Sequence, residues 1–160
     1  MYGKADSARS CGGTMGKRVA ALPSGVRAKL EKARVARLGT VDAELGAHVV
    51  PVCFVYSGGV FYSAIDRKPK RVAAGRLARV KNIRKTPRVA LLVDDYDEDW
   101  ARLWYVLVRG VAELASTSSE RKRALKLLRA KYPQYRSDLL RDDAPVLRIT
   151  PTRVSAWGDI

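Results

Sequence analysis

The feature that most constrains the fold is a series of short segments in which apolar and polar residues alternate with a period of two. Such alternation is typical of β-strands that bury one face. Short polar breaks at 42–46 and 57–59 separate the first three segments, which predict an antiparallel meander. The six predicted strands cover Val35–Val41, His48–Tyr56, Val60–Ala64, Arg88–Asp94, Leu103–Leu114 and Pro145–Trp157.

Three segments have helical rather than strand character. The first is a short amphipathic helix that Ser24 can cap, and the second runs over Lys70–Lys85 and stops before Pro87. The third covers about Glu120–Lys131, with Ser118 and Ser119 as capping residues. Six strands with a crossover helix predict a mainly β fold: a six-stranded antiparallel split β-barrel with peripheral helices.

The length of 160 residues is that of one domain. Residues 1–20 are rich in Gly, Ser and Lys and lack an apolar period, so we expect a flexible leader there and the folded domain over 21–160. Translation from Met15 instead of Met1 is left open.

The charge balance indicates an anionic partner. Lys and Arg number 31 against 16 Asp and Glu, which gives a net charge of +15. The two cysteines, Cys11 and Cys53, lie in unlike settings, which favours free thiols, a reducing compartment and a cytoplasmic location. We expect no membrane association, because no apolar run approaches the length of a membrane span and the N-terminus lacks a secretory signal pattern.

The sequence does not complete several familiar motifs. Residues 12–18 lack residues that a phosphate-binding loop requires, and the acidic residues at 95–99 lack the glycine and glutamate of a calcium loop. A single histidine, His48, excludes paired-histidine zinc sites and disfavours hydrolase triads. We predict no metal site, and any enzyme activity would depend on an organic cofactor.

The most informative stretch is 62–71, where a predicted strand leads into a cluster of cations at the start of a predicted helix. Free N–H groups and the helix dipole favour an anion at such a position, and Lys68, Lys70 and Arg71 add full positive charges. The alternative interpretation of this run alone is a solvated basic surface.

At this point the chain resembles the pyridoxamine 5′-phosphate oxidase-like, FMN-binding split-barrel family, in particular its branch that uses the deazaflavin coenzyme F-420. The resemblance spans about residues 33–157. The segments that carry it are ARLGTVD at 36–42, HVVPVCF at 48–54, YSAIDRKPK at 62–70, NIRKTPRVALLVD at 82–94 and WYVLVRG at 104–110.

The resemblance implies a homodimer with two cofactor sites at its interface and a small-molecule substrate. Val50, Pro51, Val52 and Cys53 would line the cofactor ring, while Ser63 and Ala64 would offer backbone contacts. Lys68, Lys70 and Arg71 would hold the phosphate, and Trp100 or Trp104 would come from the partner subunit. No catalytic side chain is assigned, and solvent, Tyr62 or Tyr105 stays open as the proton donor.

Coenzyme F-420 is the favoured cofactor because its polyanionic tail suits a +15 chain, with FMN as the alternative. The predicted function is hydride transfer to or from a small electron-poor organic substrate. The alternatives are a pyridoxamine 5′-phosphate oxidase type enzyme, a non-catalytic cofactor-storage protein and a nucleic-acid-binding protein. The last is disfavoured because the aromatic residues fall on strands and do not alternate with the cations.

Overall fold

The computed structural model of the chain describes residues 21–66, 77–136 and 139–160. The predicted leader at 1–20 and most of the predicted basic turn lie outside these ranges. The described ranges form three α-helices and seven β-strands: α1 Ser24–Lys32, β1 Ala36–Asp42, β2 Gly46–Val52, β3 Val55–Ser57, β4 Val60–Ala64, α2 Ala78–Lys85, β5 Arg88–Asp95, β6 Trp104–Leu114, α3 Ser118–Lys131 and β7 Val146–Gly158.

All seven strands belong to one antiparallel sheet with the order β2-β1-β5-β6-β7-β4-β3. The strands at the two ends of this order, β2 and β3, are joined through only Cys53 and Phe54. The chain from Val52 to Val55 spans no more than about 11 Å, so the sheet must curl until its two edges come close together. The predicted mainly β split barrel is thereby confirmed.

The part of the chain that the structure describes has seven strands where the sequence predicts six, because the segment 48–56 is broken at Cys53–Phe54. The backbone N–H of Phe54 donates to the hydroxyl of Tyr132 at 3.0 Å, and that hydroxyl also lies 3.0 Å from the carbonyl oxygen of Phe54. A side chain thus satisfies the backbone groups of Phe54 in place of a strand neighbour.

The helix starts differ in detail from the predicted ones. Ser24 is the first residue of α1 and caps nothing, since the preceding Pro23 is the N-cap and its carbonyl accepts from Arg27 N–H at 3.0 Å. The N-cap of α3 is Thr117, whose hydroxyl accepts from Glu120 N–H at 3.2 Å, rather than Ser118 or Ser119. Of the predicted helix over 70–85, only Ala78–Lys85 lies in the described ranges and is helical.

Alternation along the strands separates an inner from an outer face. Inward side chains of the barrel pack with α1 and α2 into the main core, while a second core lies between α3 and the sheet. The outward side chains of β1, β2, β5 and β6 have no described helix over them and form a surface that we call the outer face: Arg37, Gly39, Val41, Ala47, Val49, Pro51, Arg88, Ala90, Leu92, Asp94, Tyr105, Leu107, Arg109 and Val111. None of the helices in the described ranges is long and apolar enough to cross a membrane.

Candidate functional site

Of the four residues predicted to line the cofactor ring, only Pro51 lies on the outward side of β2. Val50 and Val52 pack inward against the main core, and Cys53 packs against the second core. Pro51 is exposed, as is its outward neighbour Val49, which is 62% exposed. A flat ligand on this strand would therefore meet Val49, Pro51 and the backbone, rather than the side chains of Val50 and Val52.

The end of β4 has an open backbone edge. Ser63 and Ala64 are buried and pair with Leu147 and Val146 of β7 on one side. On the other side β3 pairs with β4 only as far as Tyr62, so no described strand occupies that edge of Ser63 and Ala64. Both residues are buried, and the backbone contacts that the resemblance implies for them stay a prediction.

Two contacts fix the direction in which the chain leaves β4. Ile65 N–H donates to the carbonyl oxygen of Pro145 at 2.8 Å, and the hydroxyl of Tyr135 donates to Asp66 Oδ2 at 2.7 Å. Burial raises the pKa of Tyr135 above its usual range, and its side-chain hydrogen bonds add to the effect. The segment with Lys68, Lys70 and Arg71 follows directly, but these three residues lie outside the described ranges.

A cationic cluster, formed by Lys131 of α3 and by Arg34, packs against Tyr132 and against Phe54 in the link between β2 and β3. The ammonium of Lys131 sits 4.0 Å from the centre of the Phe54 ring and donates to the carbonyl oxygen of Leu30 at 2.9 Å. Burial lowers the pKa of Lys131 to about 8, and the nearby guanidinium of Arg34 contributes to this shift. Burial also raises the pKa of Tyr132 to about 12. The cluster ties α3 to α1 and holds the end of β2 in place.

The titration of Lys131 predicts a pH dependence of stability. Because its folded pKa is about 8 against 10.5 for the unconstrained side chain, the unfolded chain binds more protons between these values. The free energy of unfolding should therefore rise from pH 8 to pH 10, by about 1–3 kcal/mol. Above pH 10 the trend reverses, because Tyr132 loses its proton at a lower pH in the unfolded chain than in the folded protein, where its pKa is about 12.

Urea unfolding at intervals from pH 7 to pH 10 measures this effect. Lys131→Met should remove the rise, whereas Lys126→Met, at an exposed position on the same helix, should retain it. A wild-type curve that is flat or falling between pH 8 and pH 10 would contradict the prediction.

The aromatic residues named from the sequence have different environments. Trp100 is 74% exposed at the start of a short 3-10 turn, whereas Trp104 is only 8% exposed and packs into the main core with the ammonium of Lys29 5.3 Å from its ring centre. Of the two, Trp100 has the ring that a partner or ligand can reach. Whether either one contributes to a second subunit's site stays a prediction.

An aromatic pair that the sequence did not predict joins the outer face to the neighbouring strand β7. Tyr105 of β6 and Trp157 of β7 stack with ring centres 5.9 Å apart and an interplanar angle of 22°, and Trp157 is 55% exposed. The two residues are opposite each other in the strand register. The signal was present in the alternation of β6: because Trp104 points inward, Tyr105 must point outward.

The two tyrosines considered as proton donors lie in different environments. Tyr62 is 1% exposed and faces α3, where its hydroxyl donates to Glu120 Oε1 at 2.8 Å and accepts from Arg123 at 3.2 Å. It therefore has no access to the outer face. Tyr105 lies on that face, which leaves it as the tyrosine of the two that is able to reach a ligand there.

An apolar trough of about 580 Å³ lies on the outer face. Its lining consists of glycines, alanines, valines and threonines, together with two arginines. The trough is lined by Gly39, Thr40, Val41, Ala47, Val49, Arg88, Val89, Ala90, Arg109, Gly110, Val111 and Thr152. Its composition suits a planar apolar group or a second protein surface better than a hydrated polar ligand. Within the described ranges, no group of three or more His, Cys, Asp or Glu residues could hold a metal ion.

Known structures with this fold are numerous. The chain is similar to a conserved hypothetical protein, Rv2991, from Mycobacterium tuberculosis (17% identity, 91% of each chain covered, TM-score 0.70). It is also similar to an F420 reductase (23% identity, 84% of this chain and 98% of that chain, TM-score 0.63). A third similar structure is HutZ, the heme storage protein from Vibrio cholerae (14% identity, 83% and 91%, TM-score 0.64). At these identities the likeness establishes the fold.

No curated protein matches the chain. The family model described as pyridoxamine 5′-phosphate oxidase matches residues 22–158, which is nearly the whole folded region. The family resemblance stated from the sequence motifs is thereby confirmed, and this chain belongs to the pyridoxamine 5′-phosphate oxidase family.

Proposed function

We propose that the protein is an oxidoreductase that binds coenzyme F-420 and transfers a hydride to or from a small electron-poor organic substrate. The observation that carries the proposal is the open backbone edge of Ser63 and Ala64, which leads directly into the cations of 67–71. The family and the similarity to an F420 reductase support a flavin-type cofactor. The charge of +15 favours the polyanionic tail of F-420 over the single phosphate of FMN, which is the alternative cofactor.

The residues of the chain fit such a cofactor in three places. Lys68, Lys70 and Arg71 would hold its phosphate, Ser63 and Ala64 would bond it through their backbone, and the outward side of β2 would carry its planar ring.

The exposed pair of Tyr105 and Trp157 offers a second flat apolar surface. This pair lies on β6 and β7, three to four strands away from β2 in the sheet, so it would serve the site of a partner subunit. We therefore propose a homodimer with two sites at its interface. The location that we propose for it is the cytoplasm.

When bound, the cofactor supplies the hydride chemistry, and no nucleophilic side chain is needed. The chain itself orients the ring against β2 and shields it from water with apolar side chains such as Val49 and Pro51. The Tyr105 hydroxyl is a proton-carrying group that can reach a ligand on the outer face. A cofactor-storage role is the second candidate, and the similarity to HutZ, described as a heme storage protein, favours it.

The proposed cofactor preference is tested by fluorescence titration. F-420 should bind at least about tenfold more tightly than FMN, because its additional negative charges meet a strongly cationic chain. Trp157→Ala should weaken F-420 binding about tenfold through the loss of one stacking surface. The matched control is Trp100→Ala, which removes an exposed tryptophan outside the stacked pair.

Tighter binding of FMN, or purification with stoichiometric FMN, would overturn the choice of cofactor and leave the fold unaffected. Equal losses in Trp157→Ala and Trp100→Ala would contradict the role given to the stacked pair. Tight binding without turnover of any electron-poor acceptor would favour the storage role.

A further inference from the structure

A buried tyrosine away from the outer face is fixed against the link between β2 and β3. Tyr135 lies in the short 3-10 turn Pro133–Arg136 that follows α3, and it is only 3% exposed. Its N–H donates to the carbonyl oxygen of Tyr132 at 2.9 Å, and the two aromatic rings pack with their centres 5.6 Å apart. Because Tyr132 bonds the backbone of Phe54, the turn and the link hold each other in place.

The hydroxyl of Tyr135 connects this link with the end of β4. It donates to Asp66 Oδ2 at 2.7 Å, just beyond the last residue of β4, and Asp66 is half-buried. Burial is the main cause of the raised pKa of Tyr135, and side-chain hydrogen bonds to Cys53 and Asp66 raise it further. A hydrogen bond to a charged acceptor contributes more than one between neutral groups, so this hydroxyl is a firm anchor for the carboxylate.

The start of α2 meets the same anchor. Arg79 is the second residue of this helix, and it is half-buried near Asp66 and Tyr135. Burial lowers the pKa of Arg79, whereas the negative charge of Asp66 opposes this shift. Asp66 precedes the basic segment 67–76 and Arg79 follows it, so the two sides of this segment come together at Tyr135.

A carboxylate beside a phosphate-binding segment opposes the binding of an anion unless it is held elsewhere. Asp66 directly precedes the cations of 67–71 and can pair with them in competition with a phosphate. Its bond with the buried Tyr135 hydroxyl and the positive charge of Arg79 instead stabilise the carboxylate on the side of the second core.

We propose that Tyr135 is a positioning residue of the cofactor site. Its hydroxyl keeps the Asp66 carboxylate on the side of the second core and fixes the end of β4 relative to the start of α2, so that the cations between them are available to an anion. The inference rests on the proposed function for the identity of that anion. Tyr135 acts through Asp66 and touches no ligand itself.

A double-mutant cycle between Tyr135 and Asp66 tests the proposal through affinity. Tyr135→Phe should weaken F-420 binding about tenfold in a fluorescence titration, because the hydroxyl is lost while the ring stays packed. In the Asp66→Asn background the same change should cost less than about threefold, since the amide carries no charge to be held. The matched control is Tyr62→Phe, which removes another buried hydroxyl from its bond with a carboxylate, that of Glu120. Its affinity should stay within about twofold of the parent protein in both backgrounds.

Hydrogen exchange of the cofactor-free protein tests the anchor without any ligand. Tyr135→Phe should raise the exchange rates of the helical amides of α2 about fivefold, because the contact that holds the start of this helix is lost. Asp66→Ala removes the acceptor, leaves the buried tyrosine in place and should have the same effect, whereas Tyr62→Phe should leave these rates unchanged. Mass spectrometry of peptides over 77–85 gives the rates, and circular dichroism verifies that each variant is folded.

Equal affinity losses for Tyr135→Phe in the two Asp66 backgrounds would overturn the proposal, as would unchanged exchange in α2 for both Tyr135→Phe and Asp66→Ala. Faster exchange in both variants, together with a wild type that binds neither F-420 nor FMN, would overturn the proposed function and support the anchor.

Discussion

Replacing Lys70 with Ala is expected to weaken cofactor binding by about tenfold to a hundredfold. A charge-assisted hydrogen bond to phosphate contributes about 1.5–3 kcal/mol, and each 1.4 kcal/mol corresponds to a factor of about ten. The melting temperature of the cofactor-free protein should stay nearly unchanged. Fluorescence titration measures the affinity, and differential scanning calorimetry measures the melting temperature.

The controls for Lys70 are Arg84→Ala and Lys85→Ala. Both residues are exposed near the end of α2, which follows the basic segment in the chain. Each variant removes one positive charge, as Lys70→Ala does, but outside the set of residues proposed to hold the phosphate. If the controls lose as much affinity as Lys70→Ala, the basic segment acts only through its general field and the local phosphate site does not exist.

Gly110→Ala is expected to lower the free energy of unfolding by about 2–4 kcal/mol. A Cβ at this position would lie 2.5 Å from the carbonyl oxygen of Thr150 and 3.1 Å from its carbonyl carbon. The register between β6 and β7 shifts at Arg109/Gly110, which is how the two backbones come so close. Because the obstacle is backbone rather than a mobile side chain, β7 itself must move to admit a methyl group.

Gly39→Ala is the matched control, since it lies on another strand of the same sheet. Its Cβ would meet Ala90 at 3.6 Å or more, which is an ordinary contact, so its stability should change by less than about 1 kcal/mol. Urea unfolding of both variants measures the difference. A Gly110→Ala protein as stable as Gly39→Ala would contradict the close approach of β6 and β7.

The sequence was sufficient to predict the strands, apart from the break that separates β2 from β3, because the signal of a strand is local. Alternation in segments such as 88–94 and 103–114 reports which side chains are buried, and turn residues mark where strands end. A helix over about 120–131 was predicted for the same reason, whereas the structure begins this helix at Ser118 and caps it with Thr117. The motif at 62–71 helped to identify the family, but the positions of its cations lie outside the described residues.

Only the tertiary structure decided how these elements meet. The break at Cys53–Phe54 depends on Tyr132, which is 78 residues away from Phe54 in sequence, and no local pattern reports such a bond. The stack of Tyr105 on Trp157 depends in the same way on the pairing of β6 with β7. A strand's own sequence determines which side chains share a face, whereas the partner that each face meets is set by long-range pairing.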